Sequence, residues 1–146
     1  AALQIALGRA HVPQAARATH DLPGPTGESN RLSLYPREPV LCLGPGAGAA
    51  AAQAAAVRGL GGVAIEAGGA LQPEALTGLQ GFSAVLWWGD EAGARALSRA
   101  LALRPGPILP LIGGMPDAAR VLLERHVCID TTASGGNAQL LAEVAG

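Results

Sequence analysis

From residue 40 onward the chain alternates two kinds of segment. Short apolar runs occupy Val40 to Leu43, Val63 to Ile65, Ala84 to Trp88, Ile108 to Ile112 and Val127 to Asp130. Between them lie helix-length amphipathic stretches, at about Ala47 to Arg58, Pro73 to Leu79, Glu91 to Leu103 and Pro116 to Arg125. A short strand with no polar alternation is buried on both faces, and strands that alternate with helices build a parallel sheet. The pattern therefore predicts an α/β fold: a Rossmann-like open, mostly parallel sheet with helices on both faces.

The breaks between segments agree with that plan. Gly59, Gly61 and Gly62 end the first of these helices, and glycine frees the chain to turn back into a strand. Gly89-Asp90 sets a capping carboxylate ahead of the helix that starts at Glu91, and Pro105-Gly106-Pro107 stops that helix before the fourth run. Ahead of residue 40, Ala1 to Ala10 reads as a helix without a capping residue, residues 21 to 30 as a loop or linker, and Arg31 to Tyr35 as an edge strand or half of a hairpin. Three regions are expected: a helical and loop lead-in over 1–30, the Rossmann-like domain over 31–126, and a terminal strand and tail over 127–146.

Composition narrows the chemistry. All ten basic residues are Arg; without Lys there is no P-loop lysine, Schiff-base lysine or lysine general base. Eleven acids leave a net charge of -1, so no basic stripe is present to neutralise phosphates and nucleic acid is excluded as a partner of this segment. The apolar runs all fall short of the roughly 18 residues that span a bilayer, so no transmembrane segment is expected. The first residues are Ala1-Ala2 and the sole methionine is Met115, which leads to the expectation of a segment from a longer protein. Abundant Ala and Gly are what GC-rich coding gives whatever the function, so glycine runs carry little weight as signals.

One constellation carries a chemical claim. Gly44-Pro45-Gly46-Ala47-Gly48-Ala49 fits the permissive form G-x-G-x-x-G/A between a strand and a helix, and Glu66 ends the next strand. In a dinucleotide site the glycines let a helix N-terminus approach the pyrophosphate, and such an acid bonds the ribose. Under that reading Gly44, Gly46 and Glu66 bind the cofactor. Against it, Pro45 removes a backbone N–H from the turn, so the expected role is a structural turn. Other candidates are set against plainer roles: Cys42 and Cys128 as buried packing thiols, His126 beside Cys128 as a chance neighbour, and His11, His20 and Asp21 as solvated groups with no metal spacing. Trp87 and Trp88 point to opposite faces of a strand end, and Asp90 is a helix cap.

Three blocks carry a resemblance: Leu22-Pro-Gly-Pro-Thr-Gly-Glu-Ser-Asn30, Tyr35-Pro-Arg-Glu-Pro-Val-Leu-Cys-Leu43, and His126-Val-Cys-Ile-Asp-Thr-Thr-Ala-Ser-Gly-Gly-Asn137-Ala-Gln-Leu-Leu141. In order and spacing they resemble the C-terminal end of the long forms of the proline utilization A family, over about Leu22 to Leu141. The family couples proline dehydrogenase to L-glutamate gamma-semialdehyde dehydrogenase. The resemblance implies an aldehyde-dehydrogenase-like Rossmann domain without catalytic residues, cofactors or metal of its own. FAD and NAD serve the parent, whose catalytic domains are the partners, and a homo-oligomer is open. It implies a cytoplasmic parent, peripheral association with the inner membrane being open. The Gly-Gln-x-Cys context of an aldehyde dehydrogenase nucleophile is found at neither Cys42 nor Cys128. Finally, it implies that the tail helps cover an intermediate-channelling cavity through Thr131, Thr132, Gly135, Gly136 and Asn137, the alternative being a loop and helix that only close this domain's own core.

Overall fold

A computed structural model describes residues 1–69 and 71–130. In chain order its elements are α1 (Ala2–Arg9), β1 (Ala18–Leu22), β2 (Glu28–Pro36), β3 (Val40–Cys42), α2 (Gly46–Gly59), β4 (Ala64–Glu66), a 3-10 helix (Pro73–Thr77), β5 (Ala84–Leu86), α3 (Glu91–Ala102), β6 (Leu111–Ile112), α4 (Ala118–Val121) and β7 (Leu122–Asp130). They fall into two compact units, one formed by Ala1–Ala15 with Pro36–Leu123 and the other by Ala16–Tyr35 with the chain from Glu124.

The first unit holds a four-stranded parallel sheet in the order β4-β3-β5-β6. Leu41 pairs with Ile65 on one side and Val85 on the other, so β3 is central. Every residue of β3 and β5 is buried, which is why both runs are apolar without alternation. Leu41, Leu43 and Val85 face a core closed by Leu7 of α1, Leu76 of the 3-10 helix, Leu79 and Phe82 of the loop that follows it, and Leu97 and Leu101 of α3. Fully burying one such side chain contributes about 1.5–3 kcal/mol. On the other face α2 lies against β3 and β4 and buries Ala50, Gln53, Ala54 and Val57. The predicted fold class is what the structure shows.

Local chemistry explains the helices. The Asp90 carboxylate accepts the Gly93 N–H at 2.9 Å and caps α3, and Arg95 pairs with Glu91 one turn earlier at 2.9 Å. Arg104 follows that helix and donates to the carbonyls of Leu76 and Leu79 while its guanidinium lies 4.5 Å from the centre of the Phe82 ring. One side chain thus ties down the end of the 3-10 helix.

The second unit is a three-stranded sheet in the order β1-β2-β7. β1 and β2 form an antiparallel hairpin in which Ala18 pairs with Leu34 and Leu22 with Asn30. The stretch 21–30 is thus only partly loop, since strands reach Leu22 and resume at Glu28, and Arg31 to Tyr35 is half of a hairpin as one reading had it.

Four element predictions need correction. The expected helix from Pro116 to Arg125 is a single turn, Ala118–Val121, held by Asp117 accepting the Arg120 N–H at 3.0 Å. Leu122 already has extended backbone, and β7 pairs in the three-stranded sheet instead of adding a fifth parallel strand. The physical reason is period: from Leu123 onward Arg125, Val127 and Ile129 alternate with Glu124, His126, Cys128 and Asp130, the signature of a strand with unlike faces. Pro73 to Leu79 is a shorter 3-10 helix, and of the run Ile108 to Ile112 only Leu111–Ile112 pairs. No helix among the described residues is long and apolar enough to cross a membrane.

Candidate functional site

Open α/β sheets place ligand contacts outside the carboxyl ends of their strands, where the strand order reverses. Here that point lies between β3 and β5, whose outgoing loops are Gly44-Pro45 and Trp87-Trp88-Gly89-Asp90. Gly44 has φ 96° and a Cβ there would sit 2.4 Å from the Gly46 nitrogen, so only glycine makes this turn.

The turn is closed by the protein itself. Gln53, fully buried on α2, accepts the Gly44 N–H through Oε1 at 2.9 Å and donates from Nε2 to the Gly44 carbonyl at 2.9 Å. The Trp88 N–H donates to the same carbonyl at 2.7 Å. In a dinucleotide site the backbone amides of this turn point at phosphate; here the Gly44 amide is taken and Pro45 has none to offer. Gly68, in the loop after β4, leans on the first turn of α2: a Cβ on it would lie 2.7 Å from the Gly46 carbonyl oxygen, Ala47 Cα and Ala50 Cβ.

Glu66 stands at the end of β4 as the sequence placed it, but its carboxylate is engaged. Oε1 lies 3.3 Å from Arg58 Nη1, and Arg58 also reaches the Ala64 carbonyl at 3.4 Å. Gly44 and Gly46 are therefore brought together in one turn, and the acid meant to read a ribose faces an arginine of α2. Asp90 is occupied as a cap. Trp87 donates Nε1–H to the Asp90 carbonyl at 3.0 Å and covers Gly89 and Gly93, while Trp88 donates to the Gly114 carbonyl at 2.8 Å. Leu43, Gly69, Leu71, Pro73, Trp87, Gly93 and Leu97 line a cleft of about 160 Å³ that carries no charged side chain.

The two thiols have different settings. Cys42 is buried with its Sγ 3.8 Å from the Val40 carbonyl, and burial pushes its pKa up to about 12. Such a thiol is neutral at physiological pH and is no nucleophile. Cys128 is exposed, correcting the expectation that both are buried: it lies on the more polar face of β7, and its Sγ donates to Glu28 Oε1 at 3.1 Å. That hydrogen bond favours the protonated thiol and raises its pKa, the reverse of an activated cysteine. Its partner is thus Glu28 and not His126. Asp21 is paired with Arg31 at 3.1 Å, and no group of three His, Cys, Asp or Glu among the described residues is placed to hold a metal. Thr131, Thr132, Gly135, Gly136 and Asn137 lie outside the described residues.

Gln53 is the residue holding this turn that the sequence reading missed. Its signal was present in the sequence as one polar residue on the Ala50-Ala54-Val57 stripe of a helix, where an amide needs a buried partner.

No family model matches the chain. It is 35% identical to the bifunctional protein PutA of Escherichia coli (strain K12) over 143 residues, covering 82% of this chain and 11% of that protein. To the PutA of Salmonella typhimurium (strain LT2) it is 34% identical over 143 residues, with the same coverage of 82% and 11%. A crystal structure of a Bradyrhizobium japonicum proline utilization A variant superposes with a TM-score of 0.48 at 24% identity, covering 74% of this chain and 14% of the other. The chain thus spans about a tenth of the length of the curated relatives it matches.

Proposed function

We propose, for a chain that corresponds in sequence to a segment of a PutA protein, the role of a non-catalytic C-terminal structural domain. In this reading the parent oxidises proline with a flavin and then oxidises glutamate semialdehyde with NAD. The domain packs on the aldehyde dehydrogenase part of its own chain. The tail beyond β7, through Thr131, Thr132, Gly135, Gly136 and Asn137, covers the cavity through which the intermediate passes. Two adjacent glycines at 135 and 136 suit a backbone that must approach a surface closely, and the Asn137 amide can both donate and accept there.

The observation that carries the non-catalytic reading is the Gln53 amide bonded to both backbone groups of Gly44. A dinucleotide turn keeps such a donor for the ligand; this one is satisfied without a ligand. Of the described residues at this edge, Glu66 is paired with Arg58 and Cys42 is held neutral, so neither offers the free carboxylate or the reactive thiol that dehydrogenase chemistry calls for.

Titration of the chain with NAD, followed by calorimetry and by the fluorescence of Trp87 and Trp88, tests the reading. No saturable binding up to millimolar NAD is expected. Saturable micromolar binding that is lost in Gly46→Val would overturn it in favour of an independent NAD-binding module that uses Gly44, Gly46 and Glu66.

A further inference from the structure

We draw no further inference here: the strongest candidate, the cleft between Leu43, Leu71, Trp87 and Leu97 at the carboxyl edge of the parallel sheet, has no charged side chain in its lining to select a ligand and nothing in the structure shows what fills it.

Discussion

At residue 53 a single buried amide decides what the turn after β3 can do. Replacing Gln53 by Leu removes the acceptor for the Gly44 N–H, and a buried donor left unpaired costs about 1–3 kcal/mol. The Gly44 carbonyl keeps the Trp88 N–H, so the loss should fall within that range, read as a lower midpoint in urea with an unchanged slope. A midpoint equal to that of the unaltered chain would show that the clamp contributes nothing. The thiols make the complementary case. Cys42→Ala should cost about 1–2 kcal/mol through lost burial and packing. Cys128→Ala, on an exposed strand, should stay within about 0.5 kcal/mol. In the folded protein a thiol reagent should modify Cys128 and spare Cys42 until the chain unfolds. At this scale the sequence was legible where environment follows from apolar neighbours, as at Cys42. It misled at Cys128, because its apolar neighbours Val127 and Ile129 are themselves exposed on a strand that is open along its length beyond Leu122. Gln53 was marked only by being the polar residue on the Ala50-Ala54-Val57 stripe, and the sequence does not show which backbone groups its amide meets.

Between residues and fold, the elements that were legible are those whose pattern has one interpretation. β3 and β5 are apolar throughout because neither of their faces meets water, and α3 reads clearly because its cap, its ion pair and its buried stripe agree. The segment from Ala118 to Ile129 supports two readings: Ala-Ala-Arg-Val-Leu-Leu-Glu-Arg favours helix by local propensity, and the alternation that follows favours strand. Pairing with β2 decides the contest, a case of tertiary context overriding propensity. A pH dependence belongs to this sheet. Hydrogen bonds from Asn30 and Cys128 hold the Glu28 carboxyl below its usual value of 4.5. A depressed folded pKa means the contribution is fully present above about pH 4.5 and is lost as pH falls through the folded value. In an NMR titration Glu28 should titrate below 4.5, and Asn30→Ala, which removes the largest cause, should move it upward. A Glu28 that titrates at its ordinary value in both proteins would remove this account of the β2–β7 contact. Close approach sets a further test: Gly68→Val would drive a branched side chain into Gly46, Ala47 and Ala50. Overpacking of that kind costs about 1–3 kcal/mol, visible as a lower melting temperature.

For the molecule as a whole, two units of different character share one chain: a parallel sheet buried between helices, and a three-stranded sheet whose outer strands are largely exposed. A small sheet of this kind gains independent stability by covering a hydrophobic face, which favours the proposal that the domain works against other parts of a longer protein. The central claim is that the tail beyond β7 covers a cavity shared by the parent's two activities. It is tested most directly by the lag before NADH appears when the full-length enzyme is given proline, with free semialdehyde trapped in solution. Gly136→Val is compared with the unaltered enzyme, because a branched Cβ there would hold the backbone off a partner surface. The account predicts an unchanged rate of flavin-dependent proline oxidation, a longer lag and more trapped intermediate. Equal lags and equal trapping in the two enzymes would contradict it.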